Sequence, residues 1–415
     1  MTQYRFSNLL FCALLMGLFG CSSAPENSSP TLPLGEWRAT LKMQDQTLPF
    51  TFRMATDGSS EYRAFLQNGQ EEILIDEVVL KGDSVHLPMH IFDTQIDAQI
   101  KGDSLLGYWT KNYADDYRIP FTAVHGEAYR FAPTSSKNPV DVGGTWAVSF
   151  ADDSLPAVGI FEQRGTHLTG SFLTTTGDYR FLEGQVEGDQ IMLSAFDGEH
   201  AFLFQATRRK DSTLQGNFWS GKSYHTTWTA RRDDDATLPD ADQLTYLKEG
   251  YDRFAFTFPN LEGQPVSLNE EPYQNKVVVV QLFGTWCPNC MDETKFLADW
   301  YRKNHDRGVE VIGLAYEQKD DFDYARGRVQ RMVDKLDVPY DFLIAGVSDK
   351  AKAAQTLPML NHVMSFPTTI YVGRDGQVKG IHTGFSGPGT GKYYEEFVKE
   401  FNAQMDGLLG QGSAE

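Results

Sequence analysis

The chain has 415 residues, of which 41% are hydrophobic and 22% are charged, so it can bury cores and is not a wholly disordered protein. A net charge of −19, with no cluster of Lys and Arg, argues against nucleic acid as a partner and against adhesion to anionic lipid through a basic face. The longest apolar run, residues 9–19, is shorter than the roughly 20 residues that a spanning helix requires.

The N-terminus has the pattern of a secretory signal, in which Arg5 precedes the apolar run and a Gly-Cys pair follows it. The sequence Leu-Phe-Gly-Cys that ends at Cys21 resembles the lipobox of bacterial lipoproteins, which implies lipidation of Cys21; an ordinary signal peptide is the alternative. We expect a signal peptide at 1–20 and a Ser- and Pro-rich tether at 21–34. The protein would then be lipid-anchored in the bacterial cell envelope and face the periplasm, with the choice between inner and outer membrane left open.

An internal repeat follows the tether. The Gly-x-Trp motif that ends at Trp37 recurs at Trp146, and three further pairs of short motifs keep a similar spacing, with offsets between 106 and 110 positions. The two copies therefore stay in register over their length, as a duplicated domain would. We predict the first repeat at 35–125 and the second at 143–232, joined by a linker at 126–142.

Each repeat divides into about eight short runs of alternating polar and apolar residues separated by turn residues, which is the pattern of consecutive β-strands. A meander of that length would leave its edge strands unpaired unless the sheet closes on itself. We therefore predict an eight-stranded up-and-down barrel for each repeat, with a flattened β-sandwich as the alternative. The opening Gly-x-Trp resembles the start of lipocalin- and avidin-like barrels.

The last part of the chain has a different pattern. An acidic linker at 233–251, with one short predicted helix, leads to a domain at 252–410. Residues 277–283 (VVVVQLF) form a continuous apolar run, as expected for a strand that is covered on both faces. Predicted helices and strands then alternate to the C-terminus. The fold class is therefore multidomain, with two all-β meander domains followed by an α/β domain.

Two of the four cysteines remain as thiols in the predicted mature chain, because Cys12 lies in the signal and Cys21 would carry lipid. The remaining pair, Cys287 and Cys290, directly follows the strand at 277–283. A Cys-x-x-Cys that ends a strand and opens a helix in an α/β domain is typical of thioredoxin-like redox sites. A helix N-terminus stabilises a thiolate, so we assign Cys287 as the exposed nucleophile and Cys290 as the buried resolving thiol.

A zinc site or a structural disulfide fits this motif less well. A zinc site needs four ligands, and no second Cys/His pair with ligand spacing is present in the sequence, so no metal is expected. A purely structural disulfide over so short a loop would remove little entropy from the unfolded chain.

Two further runs in the last domain have ordinary structural interpretations. The glycine-rich run 384–391 lacks the ending of a phosphate-binding loop and is predicted to lead into the last helix. The Asp- and Arg-rich run 318–335 is predicted to be a solvent-facing helix.

Residues 252–405 resemble the TlpA/ResA-like thiol-disulfide oxidoreductases of the thioredoxin superfamily. The matching stretches are FTFPNLEGQPVSL, VVVVQLFGTWCPNCMDE, VEVIGLAYE and FPTTIYVGRDGQV. The resemblance implies a four- or five-stranded sheet flanked by helices, with Pro367 as a cis-proline that faces the dithiol. It also implies that Phe366 presents its backbone to a bound substrate, and we assign Trp286 of the redox motif to the same substrate-binding site.

The resemblance assigns a role to Glu293 as well, three residues after Cys290, where it would tune thiol acidity and assist proton transfer. Thioredoxin itself has a buried Asp in the strand below the site, and this chain has Gln281 there. Because an amide cannot exchange protons in the same way, the chemistry would depend more on Glu293. The alternative is that Glu293 is an acidic residue that simply favours a helix N-terminus.

Together these features predict a membrane-tethered, extracytoplasmic thiol-disulfide oxidoreductase that reduces disulfides of envelope proteins. No flavin or nicotinamide motif is visible, so no cofactor is expected. The resemblance implies a membrane thiol donor of the DsbD/CcdA kind, with apocytochromes c or misoxidised envelope proteins as clients. One alternative is a peroxiredoxin-like peroxidase, although Thr285 and Trp286 do not give its Thr-x-x-Cys setting. Another is a ligand- or protein-binding β module with an accessory redox domain.

Overall fold

The computed structural model describes residues 1, 31–56, 58, 61–133 and 138–410. Residues 2–20 of the predicted signal peptide, with Cys12, and the predicted lipidation site, Cys21, lie outside the described residues. Among the helices that the structure describes, none combines the length and the apolar character needed to cross a membrane.

The first repeat folds as one antiparallel sheet of nine strands. Its strands are β1 Gly35–Met43, β2 Gln46–Thr56, β3 Tyr62–Asn68, β4 Glu71–Leu74, β5 Val79–Lys81, β6 Ser84–Met89, β7 Thr94–Lys101, β8 Ser104–Lys111 and β9 Arg118–His125. Their order in the sheet is β4-β3-β2-β1-β9-β8-β7-β6-β5. The two outer strands, β4 and β5, are not paired with each other in the described part of the chain, so this barrel-like sheet is open along one seam. The count is nine because residues 75–78, which are not in a strand, separate the two short strands β4 and β5.

The second repeat closes into a barrel. Its strands are β10 Gly144–Phe150, β11 Ala157–Arg164, β12 His167–Thr174, β13 Gly177–Asp178, β14 Leu182–Glu187, β15 Gln190–Phe196, β16 Ala201–Arg208, β17 Leu214–Ser220 and β18 Tyr224–Arg232. The strands pair in succession along the meander, with β12 pairing with β14, and the first strand, β10, pairs with the last, β18, so eight strands form a closed barrel. The predicted eight-stranded barrel is confirmed here. The short strand β13 is extra and pairs with β12 in a hairpin.

The two repeats begin with the same local structure. Trp37 and Trp146 are both buried, and each indole Nε1–H donates to the carbonyl oxygen four residues earlier, that of Pro33 at 3.1 Å and that of Val142 at 2.9 Å. The glycine that opens each Gly-x-Trp motif has a positive φ, 106° in the first copy and 111° in the second. The end of the predicted tether belongs to this structure, since Leu32 is only 2% exposed and packs in the core of the first sheet.

Aromatic side chains fill the interior of the second barrel. The ring of Phe204 stacks on Phe218 with centroids 4.1 Å apart and on Phe172 with centroids 4.5 Å apart. Trp228 meets Phe172 edge to face at 5.1 Å. Such ring pairs stabilise a core beyond the area that they bury. A barrel filled in this way is a packed core and not a chamber for a ligand.

The C-terminal domain is a five-stranded sheet flanked by helices, as the resemblance implies. Its strands are β19 Thr257–Pro259, β20 Pro265–Ser267, β21 Val277–Phe283, β22 Val309–Glu317, β23 Asp341–Val347, β24 Thr368–Val372 and β25 Val378–Thr383. Its α-helices are α1 Pro288–Asn304, α2 Phe322–Leu336, α3 Lys350–Thr356 and α4 Lys392–Gly410, with 3-10 turns at Ala241–Gln243, His305–Arg307 and Pro388–Thr390. The sheet order is β23-β22-β21-β24-β25, with β21 parallel to β22 and antiparallel to β24; β19 and β20 form a separate two-stranded sheet. Every residue of the central strand β21 is buried, which explains its continuous apolar sequence.

The C-terminal domain packs against the first sheet through α2. The guanidinium of Arg328 donates to the carbonyl oxygen of Ile91, and the hydroxyl of Tyr324 donates to Asp93 at 2.9 Å. Arg328 is only 3% exposed. The charged pattern of 318–335 predicts a solvent-facing helix, but one face of this helix is an interdomain contact.

Candidate active site

The redox motif lies where β21 ends and α1 begins. Cys287 is the N-cap residue of α1, and Pro288 follows in the first helical turn, where a missing N–H costs nothing. Cys287 and Cys290 are joined in a disulfide with their Cα atoms 5.2 Å apart. The N–H of Cys290 points at the Sγ of Cys287 from 3.2 Å. The structure is therefore the oxidised state, with Cys287 at the helix end that would stabilise its thiolate after reduction.

The loop that carries Pro367 lies beside the disulfide. The peptide bond between Phe366 and Pro367 is cis, and the carbonyl oxygen of Phe366 lies 3.5 Å from the Sγ of Cys287. Trp286 meets the ring of Phe366 edge to face at 5.8 Å, and its Nε1–H donates to the carbonyl oxygen of Tyr316 at 2.8 Å. These contacts hold the redox motif and the cis-proline loop in one arrangement.

Glu293 lies buried one helical turn from Cys290, with 1% of its surface exposed. Its carboxylate accepts hydrogen bonds from Nε2 of Gln281 and from the hydroxyl of Thr369, both at 2.7 Å. The same amide of Gln281 lies 3.4 Å from the carbonyl oxygen of Cys290. Burial raises the pKa of Glu293 to about 7, although the two hydrogen bonds oppose the shift. A carboxyl group with this pKa can accept or return a proton at neutral pH.

A second buried carboxylate, Glu317, is one that the sequence patterns do not single out. It is the last residue of β22 and accepts hydrogen bonds from the N–H of Thr285 at 2.8 Å and from the hydroxyl of Thr285 at 2.9 Å. Burial raises the pKa of Glu317. Because Thr285 stands two residues before Cys287, Glu317 fixes the turn that enters the redox motif. Its one sequence signal is a Glu that ends the largely apolar strand VEVIGLAYE.

The prediction that Cys287 is exposed is wrong for this structure, in which the residue is 6% exposed. The β12–β13 hairpin of the second barrel lies over the site. The hydroxyl of Ser365 donates to the carbonyl oxygen of Thr176 at 2.6 Å, and the side-chain amide of Asn289 donates to the carbonyl oxygen of Asp178 at 3.0 Å. The redox motif alone carries no information about another domain that packs on it, so this cover could not be read from the motif.

Arg180, which follows the hairpin, is buried where all three domains meet. Its guanidinium donates to the carbonyl oxygen of Pro288 at 3.1 Å and pairs with Asp292 of α1 and with Glu71 of β4. Burial disfavours the charge, but the surrounding carboxylates outweigh it and raise the pKa of Arg180. Burial also raises the pKa of Glu71, and Arg180 opposes that shift. Removing one member of such a buried group leaves the others uncompensated, so these pairs fix how the domains are joined.

Residues 248–396 match the family model described as Redoxin. The chain is similar to the thiol-disulfide oxidoreductase ResA of Halalkalibacterium halodurans, with 27% identity over 144 residues, which are 35% of this chain and 72% of that protein. It is also similar to ResA of Bacillus thuringiensis subsp. konkukian, with 28% identity over 145 residues, 35% of this chain and 73% of that protein. A solved thiol:disulfide interchange protein from Chlorobium tepidum TLS aligns with 39% of this chain and 98% of its own, at 18% identity and a TM-score of 0.30. The Redoxin match and the similarity to ResA support a TlpA/ResA-like thiol-disulfide oxidoreductase domain in the C-terminal part of the chain.

Proposed function

We propose that the protein is a membrane-tethered, extracytoplasmic reductase of disulfides in envelope proteins. The observation that carries this proposal is the Cys287–Cys290 disulfide at the N-terminus of α1, beside the cis peptide bond of Pro367. Glu293, with its pKa near neutrality, supplies a proton acceptor within one helical turn of Cys290.

The proposed reaction transfers two electrons from the dithiol to a client disulfide. The thiolate of Cys287 attacks one client sulfur, the client S–S bond breaks, and the other client sulfur leaves as a thiolate. Cys290 then gives its proton to Glu293 and attacks the Sγ of Cys287. This second step forms the disulfide described above and releases the remaining client sulfur as a thiolate. The client is reduced and the enzyme is oxidised.

A further turnover needs two electrons from outside the chain. We propose a membrane thiol protein of the DsbD/CcdA kind as their source, and apocytochromes c or misoxidised envelope proteins as clients. The support for an extracytoplasmic site is the N-terminal sequence pattern, with the predicted lipid on Cys21. A tether at the membrane would keep the enzyme near such a donor.

The decisive experiment traps the client. Cys290→Ser should accumulate mixed disulfides on Cys287, which non-reducing electrophoresis and mass spectrometry can identify, while Cys287→Ser should trap none. Insulin reduction should be lost in Cys287→Ser, and full activity in that variant would contradict the proposed chemistry. Cys21→Ser should keep insulin reduction but leave the membrane fraction of cells. If it stays with the membranes, the lipid tether is wrong and the redox proposal is unaffected.

A further inference from the structure

We propose that the cover segment, defined here as residues 174–180 of the second barrel, occupies the client-docking surface of the redox domain, so that a protein client reaches Cys287 only after displacing it. The inference rests on the proposed reductase function. It assigns to the second barrel a part in client selection, which the redox motif by itself does not reveal.

Three loops of the redox domain hold the cover segment, and each belongs to the surroundings of the dithiol. The redox motif contributes the amide of Asn289, and the cis-proline loop contributes the hydroxyl of Ser365. The third loop contributes the N–H of Gly387, which donates to Oδ2 of Asp178 at 2.7 Å. This third loop is itself attached to the cis-proline, because the N–H of Gly384 donates to the carbonyl oxygen of Pro367 at 3.0 Å.

Arg180, the last residue of the cover segment, donates to the redox domain, but the three contacts just described run the other way. The redox domain supplies the donors, and the cover segment supplies acceptors, namely the main-chain carbonyl oxygens of Thr176 and Asp178 and the carboxylate of Asp178. Such donors are costly to bury without partners, so whatever displaces the cover must replace its acceptors. The partner that fits is therefore an extended polypeptide segment that offers main-chain carbonyls and an acidic side chain next to its disulfide.

The fit leaves no room for a client while the cover segment is in place. A Cβ added at Gly389 of the redox domain would lie 2.8 Å from the backbone C and O atoms of Arg180. A Cβ added at Gly177 would lie 2.5 Å from Nδ2 of Asn289. Since the two domains approach each other at backbone distance, a polypeptide cannot pass between them, and the two bodies must separate first.

Gly389→Ala tests the proposal with a single methyl group, because it places a wedge against Arg180 at a residue whose φ is not positive. Gly407→Ala in α4 is the matched control, since its added Cβ meets nothing within 4 Å and its φ is not positive either. Arg180→Gln is the second variant and weakens the same contact from the barrel side. The measurement is the rate at which Cys287 of the reduced protein reacts with a polyethylene-glycol maleimide, with iodoacetamide as the small reagent.

We expect the bulky maleimide to react about tenfold faster with Gly389→Ala and Arg180→Gln than with the wild type, because each substitution raises the population of the open form. Gly407→Ala should react at the wild-type rate. Equal maleimide rates in the wild type and in both interface variants would overturn the proposal. A third measurement does not depend on interface variants. In Cys290→Ser protein that is joined through Cys287 to an Asp-containing peptide, amides 174–180 should exchange hydrogen faster than in the uncoupled protein, and unchanged exchange would refute displacement.

Insulin reduction separates this inference from the proposed function. If the interface variants open as expected but no variant reduces insulin, the reductase function fails and the cover remains. If every variant reduces insulin at one rate and the maleimide rates are equal, the reductase remains and the cover is wrong.

Discussion

Glu293→Gln is the most direct test of the chemistry at this site. Gln can accept a hydrogen bond from Gln281 and donate one to Thr369, so it keeps the local packing and removes only the titrating group. Burial raises the pKa of Glu293 from 4.5 to about 7. At about 1.4 kcal/mol per pKa unit, the ionised carboxyl costs the folded protein roughly 3 kcal/mol relative to the neutral form.

The sign of the pH dependence follows from the direction of this shift. Between pH 4.5 and about 7 the folded state binds more protons at Glu293 than the unfolded state does. The contribution of this residue to stability is therefore present at pH 4.5 and is lost as the pH rises through 7. The variant should lack this loss, so the unfolding free energy of variant minus wild type should rise by roughly 3 kcal/mol from pH 4.5 to pH 8.

The assay is urea unfolding of the oxidised protein at a series of pH values, paired with single-turnover resolution of a mixed disulfide on Cys287. We expect Glu293→Gln to slow resolution by a factor of about 10 to 100, since a positioned proton acceptor contributes at least that much. Glu396→Gln, at an exposed site on α4, is the control and should match the wild type in both measurements. A stability difference that does not change with pH, together with an unaltered resolution rate, would refute the reasoning.

Three further substitutions test the supporting structure. Thr285→Val removes the hydroxyl that donates to buried Glu317 and should lower the unfolding free energy of the redox domain by about 1–3 kcal/mol in urea unfolding. The control, Thr257→Val at an exposed site, should leave the unfolding free energy unchanged. Wild-type stability of Thr285→Val would contradict the role given to Glu317. Trp146→Phe removes the indole N–H bond to a main-chain carbonyl and should cost the second barrel about 1–2 kcal/mol in thermal or urea unfolding, and Trp37→Phe should cost the first sheet a similar amount. A loss in only one of the two variants would show that the repeats do not open with equivalent bonds.

Local patterns were enough to predict the redox motif and most of the second barrel. The motif is contiguous, since the buried strand, the N-cap at Cys287 and Pro288 follow one another and each residue type has a local cause. Successive side chains along each barrel strand point alternately into the core and outwards, so apolar residues recur at every second position. The strand β13, Gly177–Asp178, is too short to show any period.

Contacts between domains could not be predicted in the same way. Arg180 and Pro288 are 108 positions apart and lie in domains whose sequences show no common pattern. A single Arg after a Tyr in a barrel loop looks like any surface residue, and only the packing shows that it is buried. Arg328 is a similar case, since its place in a charged run hides its contact with Ile91. Burial of an isolated charged residue is decided by tertiary structure and leaves no periodic signal.

The open seam of the first sheet has a consequence for how the molecule holds together. Beside β4, a cavity of about 190 Å³ is lined by Ile75 and Phe92 from loops of the first repeat and by Met291 and Leu336 from the redox domain, and an Asp76–Lys335 ion pair lies at its border. The second repeat is thus a barrel closed by its own strands, while the open sheet of the first repeat is covered beside β4 by the redox domain. A fragment that ends at residue 232 would lack the redox domain, and the unpaired edges of β4 and β5 would be free to pair with another copy. Such a fragment should tend to oligomerise, because the surface that the redox domain covers in the full chain would be exposed to solvent.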